Sequence, residues 1–147
     1  MYVLDTNIIS LFALRRRDEA FHVIEWMHRN DRDLYVSVIT LTEIQAGILK
    51  LRRKGMDRRA DDLGHMLSEI RSIFHDRVLN VDVGTALEIA NLGEHARQYA
   101  IELADLIVAA SAKVRGFVVL TRNLRHFLPT GVMAIDPLAA LPPDKLP

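Results

Sequence analysis

The 147-residue sequence contains no cysteine, which excludes a disulfide-bonded scaffold, a zinc–thiolate centre and thiol catalysis. It also lacks an opening basic segment followed by an apolar one, the pattern typical of a secretory signal. Its longest apolar stretch is interrupted by Glu102, Asp105, Lys113 and Arg115, and this argues against a membrane-spanning helix. We therefore expect a cytoplasmic protein, and the absence of cysteine fits a reducing compartment.

An excess of charge of either sign is also missing, because 19 Lys and Arg residues balance 19 Asp and Glu residues. Net charge alone thus gives no reason to expect a nucleic-acid partner. The chain has no repeat, low-complexity tract or Gly/Ser linker that would mark an internal domain boundary. We predict a single domain over residues 1–136, and a proline-rich tail over residues 137–147 that lies on the surface or frays.

Short apolar runs alternate with helical patterns along the domain. The runs are rich in β-branched and aromatic residues, which predicts strands at Tyr2–Leu4, Leu34–Val38, Val78–Val81, Phe117–Leu120 and Val132–Ile135. Apolar periodicity predicts helices at Ile8–Leu14, Asp18–Arg29, Leu41–Lys54, Asp57–Phe74, Val83–Tyr99 and Glu102–Val114, with Gly55 and Gly116 at helix ends. Helices between buried strands indicate crossover connections, and hence an α/β fold with a mainly parallel sheet.

Three carboxylates stand beside these apolar elements without an obvious cationic neighbour in the sequence. Asp5 ends the first strand, Glu43 lies at the start of a helix, and Asp105 interrupts an apolar helix. An ionised carboxylate is costly to bury unless it is paired or binds a metal. Ligands of open parallel sheets bind beyond the carboxyl ends of the strands, where Asp5, Thr121 and Asn123 are expected. If the fold brings the carboxylates together, they form an oxygen site suited to Mg²⁺ or Mn²⁺.

Each carboxylate also has a purely structural interpretation. Asp5 can cap the helix that follows it, and Glu43 fits a capping box with Thr40. Asp105 can be a first-turn acid that interacts with the helix dipole, although its apolar neighbours favour a functional role. An aspartyl-phosphate phosphatase would have a second Asp two residues after the first, but Asn7 occupies that position.

The segment after the fourth apolar run carries further polar candidates. Thr121-Arg122-Asn123 fits a turn or a short helix start, or Thr121 and Asn123 complete the site as hydrogen-bonding groups. His126 is a candidate proton donor or phosphate contact, although a single surface histidine often has neither role. Basic clusters are either solvated faces or a phosphate-binding ring around the carboxylates. Their members are Arg15, Arg16, Arg17, Lys50, Arg52, Arg53, Lys54, Arg58, Arg59, Arg122 and Arg125.

Four motifs, taken together and in order, resemble those of the PIN-domain ribonucleases. They are Asp5-Thr6-Asn7, Ser37-Val38-Ile39-Thr40 leading to Glu43 and Gly47, the run 104–112 around Asp105, and the run 121–127. In particular, the chain resembles the VapC-type toxins of bacterial and archaeal toxin–antitoxin pairs, including their FitB-like branch. The resemblance covers nearly the whole sequence.

The resemblance implies a three-layer α/β/α sandwich with an acidic pocket that holds Mg²⁺, for which Mn²⁺ is a plausible substitute. It places Asp5, Glu43 and Asp105 on the acidic ligands of the family, and Asn123 at a fourth catalytic position where an acid or an asparagine is common. Some members have Asp at the position of His126. The resemblance further implies cleavage of RNA to 5′-phosphate and 3′-hydroxyl products, and usually a homodimer silenced by a cognate antitoxin within a larger assembly.

We hypothesise that Asp5 and Asp105 ligate the metal directly and Glu43 directly or through water, while Asn123 and Thr121 position waters. Further candidates for positioning water or phosphate are Thr6, Asn7, Arg122 and His126. Crowded carboxylates raise one another's pKa, so the metal-free site should be partly protonated. The alternatives are a PIN-fold module that binds RNA or protein without catalysis, and a metal-dependent nuclease outside a toxin pair.

A partner surface is predicted from apolar residues on the first two helices and on the helix pair 41–74. They are Leu11, Phe12, Leu14, Phe21, Ile24, Met27, Leu49, Met66, Leu67 and Ile70. Most of them should belong to the core. Any part that stays exposed would form a groove for a segment of the antitoxin, from which an arginine would reach the acidic pocket.

Overall fold

The computed structural model describes residues 1–13 and 17–143, and for residues 12, 13 and 17–19 it describes the backbone alone. Leu14, Arg15 and Arg16, which belong to the predicted first helix, partner surface and basic cluster, lie outside the described residues. So do residues 144–147 of the predicted tail.

Strands and helices alternate along the described chain in the predicted order. The strands are β1 (Tyr2–Leu4), β2 (Leu34–Ser37), β3 (Val78–Leu79), β4 (Val118–Leu120) and β5 (Ala134–Ile135). The α-helices are α1 (Thr6–Ala13), α2 (Arg17–Arg29), α3 (Val38–Arg53), α4 (Asp57–Ile73), α5 (Val83–His95), α6 (Leu103–Lys113) and α7 (Leu124–Phe127). Among these described helices, none has both the length and the apolar composition that crossing a bilayer requires.

All five strands form one parallel sheet in the order β3-β2-β1-β4-β5. The first strand is therefore central, with Leu4 opposite Val36 of β2 and opposite Leu120 of β4. The amide of Asp5 extends the β1–β4 pairing by donating to the carbonyl of Leu120 at 3.0 Å. The residues that follow β1 and β4 consequently start side by side at one edge of the sheet.

Alternate residues of β1 point to opposite faces of the sheet, as the two-residue period of a strand requires. Tyr2 and Leu4 pack with residues of α1, α2, α3 and α4 in one buried cluster that includes Trp26. Val3 packs with residues of α5, α6 and α7 in a second cluster that includes Leu92. The helices thus form two layers around the sheet, which confirms the predicted three-layer α/β/α sandwich.

The start of α3 corrects one of the predicted boundaries. The helix begins at Val38 rather than Leu41, and the Ser37 hydroxyl caps it by accepting from the amide of Ile39 at 3.4 Å. Glu43 is therefore in the second turn, and the hydroxyl of Thr40 is buried without a partner among the described atoms. The capping-box interpretation of Glu43 is wrong, because the helix begins too early for that geometry.

The predicted tail packs against the domain over its first residues rather than fraying. Leu138 packs on the buried cluster of Tyr2, and the Tyr2 hydroxyl donates to the carbonyl of Pro143 at 2.8 Å. A hydrogen bond between the first strand and residue 143 ties the two regions together.

Gly55 and Gly116 end α3 and α6 in the left-handed conformation, as predicted, with φ angles of 66° and 67°. Their role is conformational rather than steric, because a Cβ atom added at either position would meet nothing within 4 Å. Gly64 has equally open surroundings but lies within α4. It therefore supplies a matched reference for the cost of the left-handed conformation.

We expect Gly116→Ala and Gly64→Ala to change stability in opposite directions. An alanine at residue 116 must adopt the left-handed conformation, which lowers the free energy of unfolding by about 1 kcal/mol. An alanine within α4 raises it by roughly 0.5–1 kcal/mol, because glycine loses more conformational freedom in a helix. Urea denaturation of both variants checks the pair, and changes of the same sign would contradict it.

Candidate acidic active site

The candidate site lies at the carboxyl edge of the sheet, where the segments after β1 and β4 meet. Asp5 follows β1 and keeps only 6% of its surface exposed. Thr121 follows β4 and is fully buried. The predicted neighbourhood of these two residues is therefore observed.

The Asp5 carboxylate is held by hydrogen-bond donors. Its Oδ1 accepts from the amide of Thr6 at 2.7 Å, and its Oδ2 accepts from Asn7 Nδ2 and from the Thr121 hydroxyl, each at 2.7 Å. The backbone carbonyl of Asp5 also accepts from the amides of Ile8 and Ile9 in the first turn of α1. Asp5 thus takes part in the start of α1 and in the site at the same time.

Asn7 and Thr121 extend this network into the segment after β4. Asn7 Oδ1 accepts from the amide of Arg122 at 3.1 Å, and the Thr121 hydroxyl accepts from the amide of Asn123 at 2.9 Å. The same residues that hold Asp5 therefore also fix the backbone of residues 122 and 123. Thr121 and Asn123 form a turn that leads into α7, so both predicted interpretations of this segment coexist.

Glu43 reaches the site from α3 and remains an exposed residue. Its Oε2 accepts from the hydroxyl of Thr6, which carries the contact from α3 to the first residue of α1. Glu43 was expected beside a buried element. The helix that carries it, α3, is indeed buried at Ile44 and Ile48. The residue as a whole is exposed, but its carboxylate reaches the start of α1 and is buried enough there for its pKa to be raised.

Asp105 lies in the first turn of α6, where its side chain is 18% exposed. Its Oδ2 is 2.6 Å from Nδ1 of His126 on α7, a partner that is distant in the sequence. The same Nδ1 is 2.6 Å from Nδ2 of Asn123, whose Oδ1 accepts from Nε of Arg125 at 3.1 Å. The structure therefore brings His126 and Asn123, both predicted candidates, onto Asp105.

The acidic side chains influence one another's protonation. Burial raises the pKa of Asp5 above its ordinary value of 3.8; hydrogen bonds from Thr121, Thr6 and Asn7 oppose this shift, and the negative charge of Asp105 adds to it. Burial likewise raises the pKa of Glu43, and the charges of Asp5, Asp105 and Glu102 add to the effect, against the hydrogen bond from Thr6. Desolvation is the larger cause in both cases, whereas the sequence prediction had emphasised crowding.

Glu102 is an acid that the sequence prediction did not include in the site. It precedes the first residue of α6 and lies three positions before Asp105, so the two share one side of the helix start. Its exposed charge acts on Glu43. The three-residue spacing between Glu102 and Asp105 was the available signal in the sequence. Glu102 stands at the start of the predicted helix, where an acid is common, so nothing else marked it as unusual.

The basic residues are only partly at the site. Arg122 and Arg125 belong to the segment that contacts Asn7 and Asn123. The members on the α3–α4 hairpin lie elsewhere, because Lys50 is seven residues and Lys54 eleven residues beyond Glu43 along α3, or about 10–16 Å along the helix axis. These hairpin residues do not ring the carboxylates, and the side chain of Arg17 is among those not described.

The potential metal ligands at this edge suit a hard divalent cation. Carboxylate oxygens of Asp5, Glu43 and Asp105 and the amide of Asn123 are the ligand types that Mg²⁺ and Mn²⁺ prefer. Within the described residues, no three His, Asp or Glu side chains already converge as a metal cage.

Comparisons with known proteins agree with the fold and with the resemblance to the PIN-domain family. A family model described as the PIN domain matches residues 2–128. Plasmid stability protein StbB from Pseudomonas syringae pv. tomato is 35% identical over 144 residues, which span 95% of this chain and 100% of that protein. VapC ribonuclease Y4jK from Sinorhizobium fredii is 31% identical over 140 residues, which span 93% of this chain and 97% of that protein. The solved structure of FitAcB from Neisseria gonorrhoeae has a TM-score of 0.77 at 27% identity, covering 93% of this chain and 98% of that chain.

The raised pKa of Glu43 makes a prediction for metal-free protein. Because the unfolded chain ionises at a lower pH than the native state, native stability falls as the pH rises from the ordinary value of 4.5 through the raised pKa. Glu43→Gln removes this cost and keeps an acceptor for the Thr6 hydroxyl. We expect the variant, relative to wild type, to gain melting temperature at pH 7 and to lose that gain below about pH 4.

Thermal unfolding in the presence of a chelator at several pH values measures this difference. A stability difference that stays constant between pH 4 and pH 7 would show that Glu43 ionisation does not disfavour the native state.

Proposed function

Because the chain belongs to the PIN-domain family, we propose that it is a Mg²⁺-dependent endoribonuclease and the toxin of a toxin–antitoxin pair. The observation that carries the proposal is that Asp5, Glu43 and Asp105, from three separate elements, lie near enough to one another at the carboxyl edge of the sheet for their charges to interact. The similarity to a VapC ribonuclease over nearly the whole of both chains supports RNA as the substrate.

Hydrolysis of a phosphodiester bond needs an activated water and relief of the charge that develops on the phosphoryl oxygens. A bound Mg²⁺ or Mn²⁺ ion supplies both, by lowering the pKa of a water and by compensating the phosphate charge. The residues of this chain supply the ligands, hold them in place and guide the substrate. Each of these contributions rests on a contact described above.

Asp5 and Asp105 are the proposed direct ligands, and Glu43 acts directly or through water. The donors around Asp5 fix the orientation of its carboxylate and reduce the desolvation cost of its charge. Asn123 and Thr121 are proposed to position waters. Arg122 and Arg125, exposed beside them, place positive charge where a phosphate backbone would approach the acidic centre.

The α3–α4 surface supports the proposed antitoxin contact. Its apolar groove is lined in part by Leu41, Leu49 and Leu67, and the exposed fraction of Leu49 is 49%. Phe21 on α2 is 58% exposed. By contrast, four other predicted members of the partner surface are buried in the core. They are Leu11, Met27, Met66 and Ile70. An amphipathic antitoxin segment would cover such a groove.

A homodimer is proposed on the same basis as the toxin role, from family membership. Val83 and Leu87, one turn apart on α5, are 78% and 66% exposed and offer apolar surface for a contact between copies. The dimer would leave the α3–α4 groove free for the antitoxin only if the two surfaces remain separate.

We expect Asp5→Asn and Asp105→Asn each to lower Mg²⁺-dependent cleavage of RNA by about a hundredfold or more. Loss of a group that merely supports a metal ligand already costs 10–100-fold in typical sites, so loss of a ligand should cost at least as much. Single-turnover cleavage of a defined RNA by purified, folded protein measures the effect. Asp61→Asn, at an exposed acid on α4, is the matched control and should cleave at the wild-type rate.

If either site variant is folded and cleaves as fast as wild type, the proposed metal site is wrong. If wild-type protein binds RNA without cleaving it in Mg²⁺ or Mn²⁺, the alternative of a non-catalytic module is favoured. Preferential cleavage of DNA would instead favour a metal-dependent nuclease of another role.

Expression of the wild-type chain without an antitoxin should arrest growth, and expression of Asp105→Asn should not. The reason is that a free toxin hydrolyses cellular RNA, whereas the variant lacks a proposed ligand. Growth curves after induction, with protein levels compared by immunoblot, measure the difference. Normal growth with abundant, soluble and cleavage-competent wild-type protein would exclude the toxin role while leaving the nuclease proposal intact.

A further inference from the structure

The contact between His126 and Asp105 is unusual because it pairs an imidazole with a proposed metal ligand. Nδ1 of His126 lies 2.6 Å from Oδ2 of Asp105, and the two side chains are 29% and 18% exposed. Oδ1 of Asp105 accepts no hydrogen bond from the described part of the chain. One carboxylate oxygen is therefore occupied by the imidazole, and the other is left for a ligand.

The protonation of Nδ1 follows from its partner. A carboxylate only accepts hydrogen bonds, so Nδ1 must carry a hydrogen to bond Asp105. The same nitrogen cannot then accept from Nδ2 of Asn123, although the two lie 2.6 Å apart. Arg125 Nε, which donates to Oδ1 of Asn123 at 3.1 Å, holds the amide in this orientation. Asp105 and Asn123 thus compete for one imidazole nitrogen, and a hydrogen on Nδ1 satisfies only the Asp105 contact.

His126 is held firmly enough to orient a partner. Its amide donates to the carbonyl of Asn123 at 3.0 Å, and the next residue, Phe127, is fully buried. The carbonyl of Phe127 in turn accepts from the buried hydroxyl of Thr130 at 2.6 Å. The short helix α7 is therefore anchored on both sides of His126, which limits the positions that the imidazole can adopt.

We propose that His126 is a positioning residue that holds Oδ2 of Asp105 and so presents Oδ1 to the divalent metal. The inference rests on the proposed function, because it assumes that Asp105 is a metal ligand. A carboxylate oriented before binding loses less conformational freedom when the metal arrives, and outer hydrogen-bond partners of this kind typically change metal affinity 10–100-fold. His126 acts through Asp105 and is not assigned a contact with the substrate.

The histidine variants separate this role from a general contribution to stability. Asparagine places an amide donor near the position of Nδ1, whereas glutamine places it near the more distant Nε2. His126→Asn should therefore retain the hydrogen bond to Asp105, and His126→Ala and His126→Gln should lose it. His75→Ala is the matched control, since His75 also lies beside an aspartate, 3.7 Å from Asp76, but on an exposed part of the chain outside the site.

Calorimetric titration of the full-length, metal-free proteins with Mn²⁺, and separately with Mg²⁺, is the deciding experiment. We expect His126→Ala and His126→Gln to bind the metal more weakly, with a Kd raised about 10–100-fold. We expect His126→Asn and His75→Ala to remain within about threefold of wild type. Circular dichroism on each sample confirms that the folded fractions match, so that a difference in Kd is not a difference in folding.

Two failures are distinguishable. If wild-type protein binds neither Mn²⁺ nor Mg²⁺, the proposed metal-dependent function fails and this inference fails with it. If wild type binds the metal and His126→Ala binds it equally or more tightly, the positioning role is overturned while the proposed function stands. Loss of affinity in His126→Asn as large as in His126→Ala would also overturn the role, because the retained donor would then have no effect.

Discussion

The hydrogen bond from the Thr121 hydroxyl to the carboxylate of Asp5 is the interaction on which the site depends. It joins the ends of the neighbouring strands β1 and β4 inside the protein, where both side chains are buried. A buried carboxylate without donors would be strongly unfavourable, and Thr121, Asn7 and the amide of Thr6 together offset part of that penalty. The same Asn7 and Thr121 bind the backbone of the following segment, so α7 is placed by the residues that satisfy Asp5.

This arrangement leaves a negative centre that the protein itself does not neutralise. Donors around Asp5 are uncharged, and the raised pKa values of Asp5 and Glu43 show that ionisation is disfavoured at both groups. The native state therefore holds carboxylates in surroundings that suit a cation better than they suit the carboxylates alone. Such a cost to stability is common at functional sites, because the residues that favour binding are often not the residues that favour the folded state.

Much of the fold could be predicted because its signals are local. The short β-branched runs predict strands, and the glycines at residues 55 and 116 predict helix ends, because single residues have these local preferences. The start of α3 could not be predicted in this way. Val38 and Ile39 favour a strand locally, but the Ser37 cap and the packing of Ile39 under α5 and α6 favour a helix. Tertiary packing therefore overrides the intrinsic preference of these two residues.

The acidic candidates of the site could be named from the sequence, but the contacts that these side chains make could not. Asp5, Glu43 and Asp105 are conspicuous because each stands beside an apolar element, and for Glu43 the resemblance to a family favoured a role in the site over helix capping. The pairing of Asp105 with His126 depends on how α6 and α7 lie against each other, and no spacing along the chain encodes it. Glu102 was missed for the complementary reason. An exposed acid at a helix start is so common that only the effect of its charge on the pKa of Glu43 distinguishes it.

The position of β1 at the centre of the sheet has a consequence for the life of the newly made chain. Asp5 is synthesised 116 residues before its partner Thr121. Until β4 emerges, the first strand has an open side and the carboxylate of Asp5 lacks its buried hydroxyl donor. Contacts of such long range form late in folding and close only when most of the chain is present. The candidate acidic site is therefore incomplete until the segment after β4 has been synthesised.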